Sequence, residues 1–156
     1  MEKSEKQICF AWLGICLMAP VVGFAEKCAG TNVNNMTAWD ANEISQGMII
    51  TTFRHTSVIV SENPSAPYHL AAGECGGTFL TTPDGKTQGW GHCARKDKDG
   101  DVLNEAWTLP LGTSFKGNWK LVGGTGKYAN SSGTATWEVA MSQGKMAAVR
   151  WTGNCQ

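Results

Sequence analysis

Apolar and polar residues alternate at every second position along several short segments of the chain. The clearest case is the run Ala135, Trp137, Val139 and Met141, where each apolar residue is followed by a less apolar one. A period of two predicts a strand with one buried face. Apolar patterns with a helical period are nearly absent, and turn-forming pairs such as Asp84-Gly85 recur at short intervals. The pattern therefore predicts an all-β protein.

The turn signals divide the chain into about eight strands, which predicts a small closed antiparallel barrel. The predicted strands cover residues 46–60 (one bent strand or two), 67–80, 86–96, 101–109, 115–123, 133–142 and 145–152. Residues 26–45 contain Trp39 but few regular features, and they are predicted to form an irregular lead-in. Length and the lack of a linker predict one barrel domain over residues 46–156.

The first 25 residues have the features of a secretory signal peptide. Lys3 and Lys6 precede an apolar run over residues 8–24, and small residues end it at Gly23 and Ala25. This arrangement predicts cleavage after Ala25. The run is short for a membrane span and contains Pro20, which argues against a retained anchor. The sequence thus predicts an exported protein, periplasmic or secreted, that leaves the membrane after cleavage.

The charges are balanced, with 13 Lys and Arg against 13 Asp and Glu. A neutral surface argues against nucleic acid and against an acidic membrane face as partners. Beyond the signal region the chain carries six tryptophans, at positions 39, 90, 107, 119, 137 and 151. A small barrel needs bulky filling, so most of them are predicted to be core residues. The residues predicted to line a ligand pocket are Trp107, Phe79, Phe53 and Trp137.

One predicted hairpin fixes a disulfide. Pro83 and Gly85 occupy the second and fourth positions of a turn that suits a three-residue hairpin loop. Counting back from this turn places Cys75 opposite Cys93, and in an exported protein the two are predicted to form a disulfide. Cys28 and Cys155 are paired by elimination, although four cysteines allow three connectivities.

A second hairpin, turning at residues 97–101, places Cys93 opposite Glu105 and Gly91 opposite Trp107. Its acidic residues resemble the start of a calcium loop, but the last acidic ligand of that loop is missing, so a polar turn is predicted. The same register puts Glu105 on the apolar inner face. A buried carboxylate is costly unless it is hydrogen-bonded or protonated, which makes Glu105 a candidate acid, base or ligand anchor. The alternatives are a solvated position at the barrel mouth, or a bulge that reverses the alternation.

Two histidines are further candidates. His55 shares its alternation with Phe53, although the opposite face of this segment is also apolar. His69 shares the alternation of Cys75 if no bulge intervenes. Neither shows the spacing of a metal site, and a lone histidine in a strand is more often structural. His55 and His69 are therefore predicted only as helpers of Glu105, and no metal or organic cofactor is predicted.

A resemblance to a known family rests on several glycine-rich blocks. The most specific is Gly124-Thr125-Gly126-Lys127-Tyr128 running on to Gly133-Thr134, and looser ones are Gly73 to Gly77, Gly89 to Cys93 and Gly117-Asn118-Trp119. They resemble bacterial exported members of the allene oxide cyclase barrel-like group, which is related to the plant dirigent proteins. The resemblance implies a calycin-type, eight-stranded barrel around an apolar pocket. It also implies chemistry without a cofactor. Self-association into a homo-oligomer is a further implication of the resemblance.

Two functions follow from these expectations. The first is a barrel that binds a small apolar or aromatic molecule and acts on it as a cofactor-independent cyclase, isomerase or lyase, with binding geometry lowering most of the barrier. The second is a non-catalytic ligand-binding, dirigent-like or structural interaction protein. A fold of this kind hosts many functions, so the residues of the pocket have to decide between them.

Overall fold

The computed structural model describes residues 26–155, which form a closed barrel of eight antiparallel strands in chain order. The strands are β1 Glu26–Ser45, β2 Met48–Ser61, β3 Ala72–Thr81, β4 Thr87–Lys96, β5 Val102–Gly112, β6 Lys116–Gly124, β7 Gly133–Gln143 and β8 Met146–Cys155. One 3-10 turn, Gly126–Tyr128, lies between β6 and β7. The predicted all-β barrel is confirmed. The predicted signal peptide lies outside the described residues. Between residues 26 and 155, no helix has the length and apolar character needed to cross a membrane.

The predicted irregular lead-in is wrong, because residues 26–45 form the longest strand of the barrel. β1 pairs with β2 from Gly30 to Ser45 and with β8 from Glu26 to Asn35. Its inward positions include Asn32 and Asn34, so polar residues stand where an apolar pattern would have marked a strand. Beyond Met36 the strand pairs only with β2, whose facing residues Ile49 to Arg54 also pair with β3.

β3 begins at Ala72 rather than at residue 67, and residues 62–71 form a connecting loop instead. The loop folds back across the lower end of the barrel, where Leu70 N donates to Ile59 O at 2.8 Å. Ala71 is fully buried there, and the ring of Tyr68 packs edge-on against Trp151 at 6.1 Å. The loop thus closes the end at which β1 starts.

Both predicted hairpin registers are confirmed. Thr82 N donates to Lys86 O at 2.8 Å, and the pairing of β3 with β4 places Cys75 opposite Cys93. These two cysteines form a disulfide. Cys28 and Cys155 form the second disulfide, across the seam between the first and last strands. The pairing chosen by elimination is therefore also confirmed.

The apolar core fills only the lower part of the barrel. Its buried members are Cys28, Ile59, Ala71, Leu103, Trp119, Tyr128, Ala135 and Trp151. Several of these side chains are large, as expected for a small barrel that must fill its own interior. The upper part of the barrel does not contain this cluster, and this leaves room for the cavity described below.

The glycine-rich block after β6 locks two turns together at the lower end. The ammonium group of Lys127 lies 2.7 Å from Asp97 Oδ2 and 2.5 Å from Asp99 Oδ2 in the turn between β4 and β5. The hydroxyl of Tyr128 donates to Asp97 Oδ2 at 3.0 Å, and this buried tyrosine also joins the core. Lys127 thus occupies the acidic turn that resembles the start of a calcium loop.

The contacts of Lys127 and Tyr128 with Asp97 and Asp99 are called the lock below. We expect the lock to make the stability of the protein fall in acid. The hydrogen bond from Lys127, together with those from Tyr128 and the backbone, lowers the pKa of Asp97 from 3.8 to about 2. A carboxyl group with a lowered pKa stabilises the fold above its ordinary pKa, and this contribution is lost as the pH falls toward the folded-state value. Asp97→Asn should therefore lower the melting temperature at pH 6 and flatten its decline between pH 4 and pH 2.

Thermal unfolding followed by circular dichroism across this pH range measures both effects. Asp40→Asn is the control, because it removes an exposed aspartate of β1 that lies outside the lock. Parallel acid profiles for the wild type and Asp97→Asn would show that the lock contributes nothing to acid sensitivity.

Candidate functional site

A cavity of about 570 Å³ occupies the upper part of the barrel. Seven tryptophan and phenylalanine side chains line it, namely Trp39, Phe53, Phe79, Trp107, Phe115, Trp119 and Trp137. Trp39 and Phe115 are exposed at the rim, whereas Phe53 is only 6% exposed, so the wall runs from solvent into the barrel. The four residues predicted to line a pocket all belong to this wall, and their binding role stays a prediction.

The aromatic rings contact one another as a continuous surface. Phe53 stacks on Phe79 with ring centroids 4.6 Å apart, and both rings lie within 6 Å of Trp107. Trp107 in turn meets Trp137 edge-on at 6.2 Å. Such offset and edge contacts stabilise aromatic clusters beyond the burial of their area. The wall is therefore a fixed apolar surface that can receive a flat ligand.

Glycines make room for the indole ring of Trp107. A Cβ atom at Gly91 would lie 2.3 Å from Trp107 Cζ2 and 2.2 Å from Gly76 O. Gly77, on the neighbouring strand, is equally close to the Trp107 ring. The strand alternation predicts this arrangement, because Gly91 and Trp107 face each other in the register.

We expect Gly91→Ala to destabilise the protein by about 1–3 kcal/mol, since the added methyl group must displace Trp107 or the backbone. Gly112→Ala is the matched control, because its Cβ would come no closer than 3.9 Å to Pro110 O. Urea unfolding followed by tryptophan fluorescence measures the difference. Equal midpoints for the two variants would mean that the space beside Trp107 is not tightly filled.

A buried ion pair separates the cavity from the core. Arg95 on β4 donates from Nη1 to Glu105 Oε2 on β5, and the two residues are 1% and 7% exposed. Arg95 Nη2 also donates to Ser57 Oγ at 3.1 Å and lies 3.3 Å from Cys75 Sγ. Burial lowers the pKa of Arg95 to about 10, so the guanidinium remains charged at neutral pH. Glu105 faces the interior as its register predicts.

His55 lines the cavity beside this ion pair. Its imidazole stacks on Phe53 at 5.7 Å with an interplanar angle of 7°. Burial, aided by the positive charge of Arg95, lowers the pKa of His55 to about 4. The imidazole is therefore uncharged near neutral pH. The half-buried ring lines the cavity, where a ligand can reach it.

The structure does not bring His69 to this site. His69 lies in the loop that closes the lower end, and its Nδ1 is buried without a hydrogen-bond partner within residues 26–155. The prediction that it continues the alternation of Cys75 is wrong, because the strand begins only at Ala72. The candidate set therefore reduces to Glu105 and His55.

Sequence reasoning missed Arg95, Asn32 and Asn34. Arg95 follows Cys93 by two residues on β4, so the alternation that placed Cys93 inside also places Arg95 inside. An arginine is expected at the surface, and only the carboxylate of Glu105 signals a partner for it. The two asparagines lie in the segment predicted to be irregular, where no face was assigned.

The site combines an aromatic wall with a polar floor formed by Arg95, Glu105, Ser57 and Asn34. The polar groups of this floor mostly hydrogen-bond to one another. Glu105 accepts from Arg95, and Ser57 Oγ donates to Asn34 Oδ1 at 2.7 Å. Because the Glu105 carboxylate is already paired with a buried guanidinium, it suits a positioning or basic role better than an acidic one. The floor can therefore hold a polar group of a ligand or polarise it.

The chain is similar to the solved structure of the pterocarpan synthase dirigent protein PsPTS1, with a TM-score of 0.52 and 11% identity over 85% of this chain and 95% of that one. It also matches the pterocarpan synthase dirigent protein GePTS1, with a TM-score of 0.48 and 13% identity over 83% of each chain. The PsPTS1 likeness shows a dirigent-like fold. No family model and no curated protein matches the chain.

Proposed function

We propose that this protein binds a small apolar or aromatic molecule in its upper cavity. The observation that carries the proposal is the cavity of about 570 Å³ with seven tryptophan and phenylalanine side chains in its wall. Ligand pockets typically have this size, with apolar walls and a few polar groups that orient the ligand. The dirigent-like fold supports the proposal only in providing a barrel with an interior.

We further propose that the protein acts outside the cytoplasm, as an exported relative of the allene oxide cyclase barrel-like group. Two disulfides are consistent with an exported protein, because such bonds persist in oxidising compartments. The apolar run before Ala25 supports export by a cleaved signal peptide. The glycine-rich block from Gly124 to Gly133 supports the family assignment, and the periplasm is the expected compartment in a Gram-negative host.

A second candidate function is catalysis in the same cavity, as a cofactor-independent cyclase, isomerase or lyase. One observation favours it. Glu105 on β5, which is paired with Arg95, and an uncharged His55 on β2 both line the cavity beside its apolar wall. Such a pair can move a proton while the wall fixes the geometry of the substrate. Glu105 is then the base and His55 its helper, and His69 has no part.

Binding is tested by titrating the purified protein with a naphthalene-based fluorescent probe and following tryptophan emission. Trp107→Ala should weaken binding at least about tenfold, because it removes a large part of the wall. Trp90→Ala is the matched control, since Trp90 is 51% exposed and lies outside the cavity. Equal affinities in the two variants, or no binding by the wild type, would refute the proposal.

Catalysis is tested by mass spectrometry of the small molecules that co-purify with the protein, repeated with Glu105→Gln. A compound that Glu105→Gln retains unchanged, while the wild type converts it, would support turnover. A compound that both proteins retain unchanged would leave the protein as a binder.

A further inference from the structure

The polar strip on the inner face of β1 and β2 bears on which ligands the cavity accepts. Asn34 pairs with Ser57 across the two strands, and Asn32 and His55 are their same-face neighbours. Asn32, Asn34 and His55 all line the cavity, so the strip is a polar part of the cavity surface.

The amide oxygens of the two asparagines in this strip already accept hydrogen bonds within the protein. Asn32 Oδ1 accepts from Trp151 Nε1 at 3.0 Å, and Asn34 Oδ1 accepts from Ser57 Oγ at 2.7 Å. With both oxygens engaged in this way, the amide nitrogens of the two asparagines are the groups left to bind a ligand, and they can only donate. The Nε–H of Arg95 lacks an acceptor among residues 26–155, which adds to the excess of donors.

The charge of the floor is balanced. The positive charge of Arg95 is paired with the negative charge of Glu105, and the imidazole of His55 is uncharged near neutral pH. An anionic ligand would add an uncompensated charge close to the carboxylate of Glu105. Burying such a charge is strongly unfavourable, while an uncharged acceptor needs only a hydrogen bond.

We infer that the ligand of this cavity carries an uncharged acceptor, the carbonyl oxygen of a ketone, ester or amide, which is held by donors from His55, Asn32 and Asn34. The inference rests on the proposed binding function and specifies its ligand class. The aromatic wall holds the apolar body of the ligand, and the strip fixes its orientation. A hydrocarbon of the same shape leaves the donors unpaired, and a carboxylate meets the charge of Glu105.

Three probes of similar shape test this inference: 2-acetylnaphthalene, 2-ethylnaphthalene and 2-naphthoate. The dissociation constant of each is measured for the wild type, for His55→Phe and for His92→Phe, a control on the exposed outer face of β4. Each constant is compared with the partition of the probe between water and hydrocarbon, so that hydrophobicity is removed. His55→Phe should shift the ratio of ketone to hydrocarbon affinity at least about fivefold against the ketone. His92→Phe should leave the ratio unchanged, and 2-naphthoate should bind weakest.

A measurement on the wild type covers the case in which His55→Phe does not fold. The C=O stretch of bound 2-acetylnaphthalene should shift to lower frequency than in a hydrocarbon solvent, because a hydrogen bond weakens the carbonyl bond. An unshifted band, an unchanged affinity ratio or tightest binding of 2-naphthoate would each overturn the inference, while the binding function would stand. If none of the three probes binds, the binding function itself fails, and the inference fails with it.

Discussion

Arg95→Met should lower the free energy of unfolding by about 3–5 kcal/mol. The variant removes the partner of Glu105 and leaves a carboxylate that is 7% exposed without its guanidinium. Ser57 also loses the hydrogen bond from Nη2. Breaking one side of a buried pair costs more than the pair contributes, because the remaining group has to be buried without compensation.

Urea unfolding at pH 7 measures this effect, and two further variants test its cause. Arg54→Met is the matched control, because its pair with Glu74 is 3.6 Å long and largely exposed, and such pairs contribute about 0–1 kcal/mol. The double variant Arg95→Met/Glu105→Leu should recover most of the loss, since no charge is left in the interior. If Arg95→Met and Arg54→Met unfold at the same urea concentration, the buried pair is not a structural requirement.

Removing the disulfide between Cys28 and Cys155 should have an effect of similar size. Its sequence separation is 127 residues, and the chain-entropy model assigns a loop of this length about 5 kcal/mol. The bond between Cys75 and Cys93 has a separation of only 18 residues, and the same model gives it about 3 kcal/mol. The bond across the barrel seam should therefore be the more stabilising of the two.

The comparison uses the double variants Cys28→Ser/Cys155→Ser and Cys75→Ser/Cys93→Ser. Serine is chosen because Cys75 lies against Arg95 Nη2, and a hydroxyl can still accept from it. Urea midpoints and slopes, measured for both variants without reductant, give the two free energies. A larger loss for the second variant would mean that local contacts, and not loop closure, determine the contribution of each bond.

Local signals in the sequence predicted the fold where turn chemistry and side-chain alternation agreed. The turn at Pro83-Asp84-Gly85 fixed the register of β3 and β4, and one count along it located a disulfide and the inward face. β1 was missed because its inward asparagines form part of a polar strip and its outward residues face solvent. A strand of this kind has no apolar alternation, and it is recognised only through its partners β2 and β8.

The candidate site was predictable only in part. The inward position of Glu105 followed from register, and so did the fit of Trp107 against Gly91. The pairing of Glu105 with Arg95 did not follow from register, because an ion pair between neighbouring strands depends on side-chain directions that a one-dimensional pattern does not contain. His69 was misplaced for a related reason, since the loop before Ala72 is held by long-range contacts with Ile59 rather than by local signals.

The pairing of β1 with β8 makes the order of the strands a ring, in which every strand is hydrogen-bonded to the strand before it and the strand after it. The Cα atoms of Cys28 and Cys155 are 5.9 Å apart, so a short peptide could join the two ends. A circularly permuted chain that starts at the exposed turn of Gly144 would then keep every neighbour relation of the sheet. Architecture of this kind is independent of which strand is synthesised first.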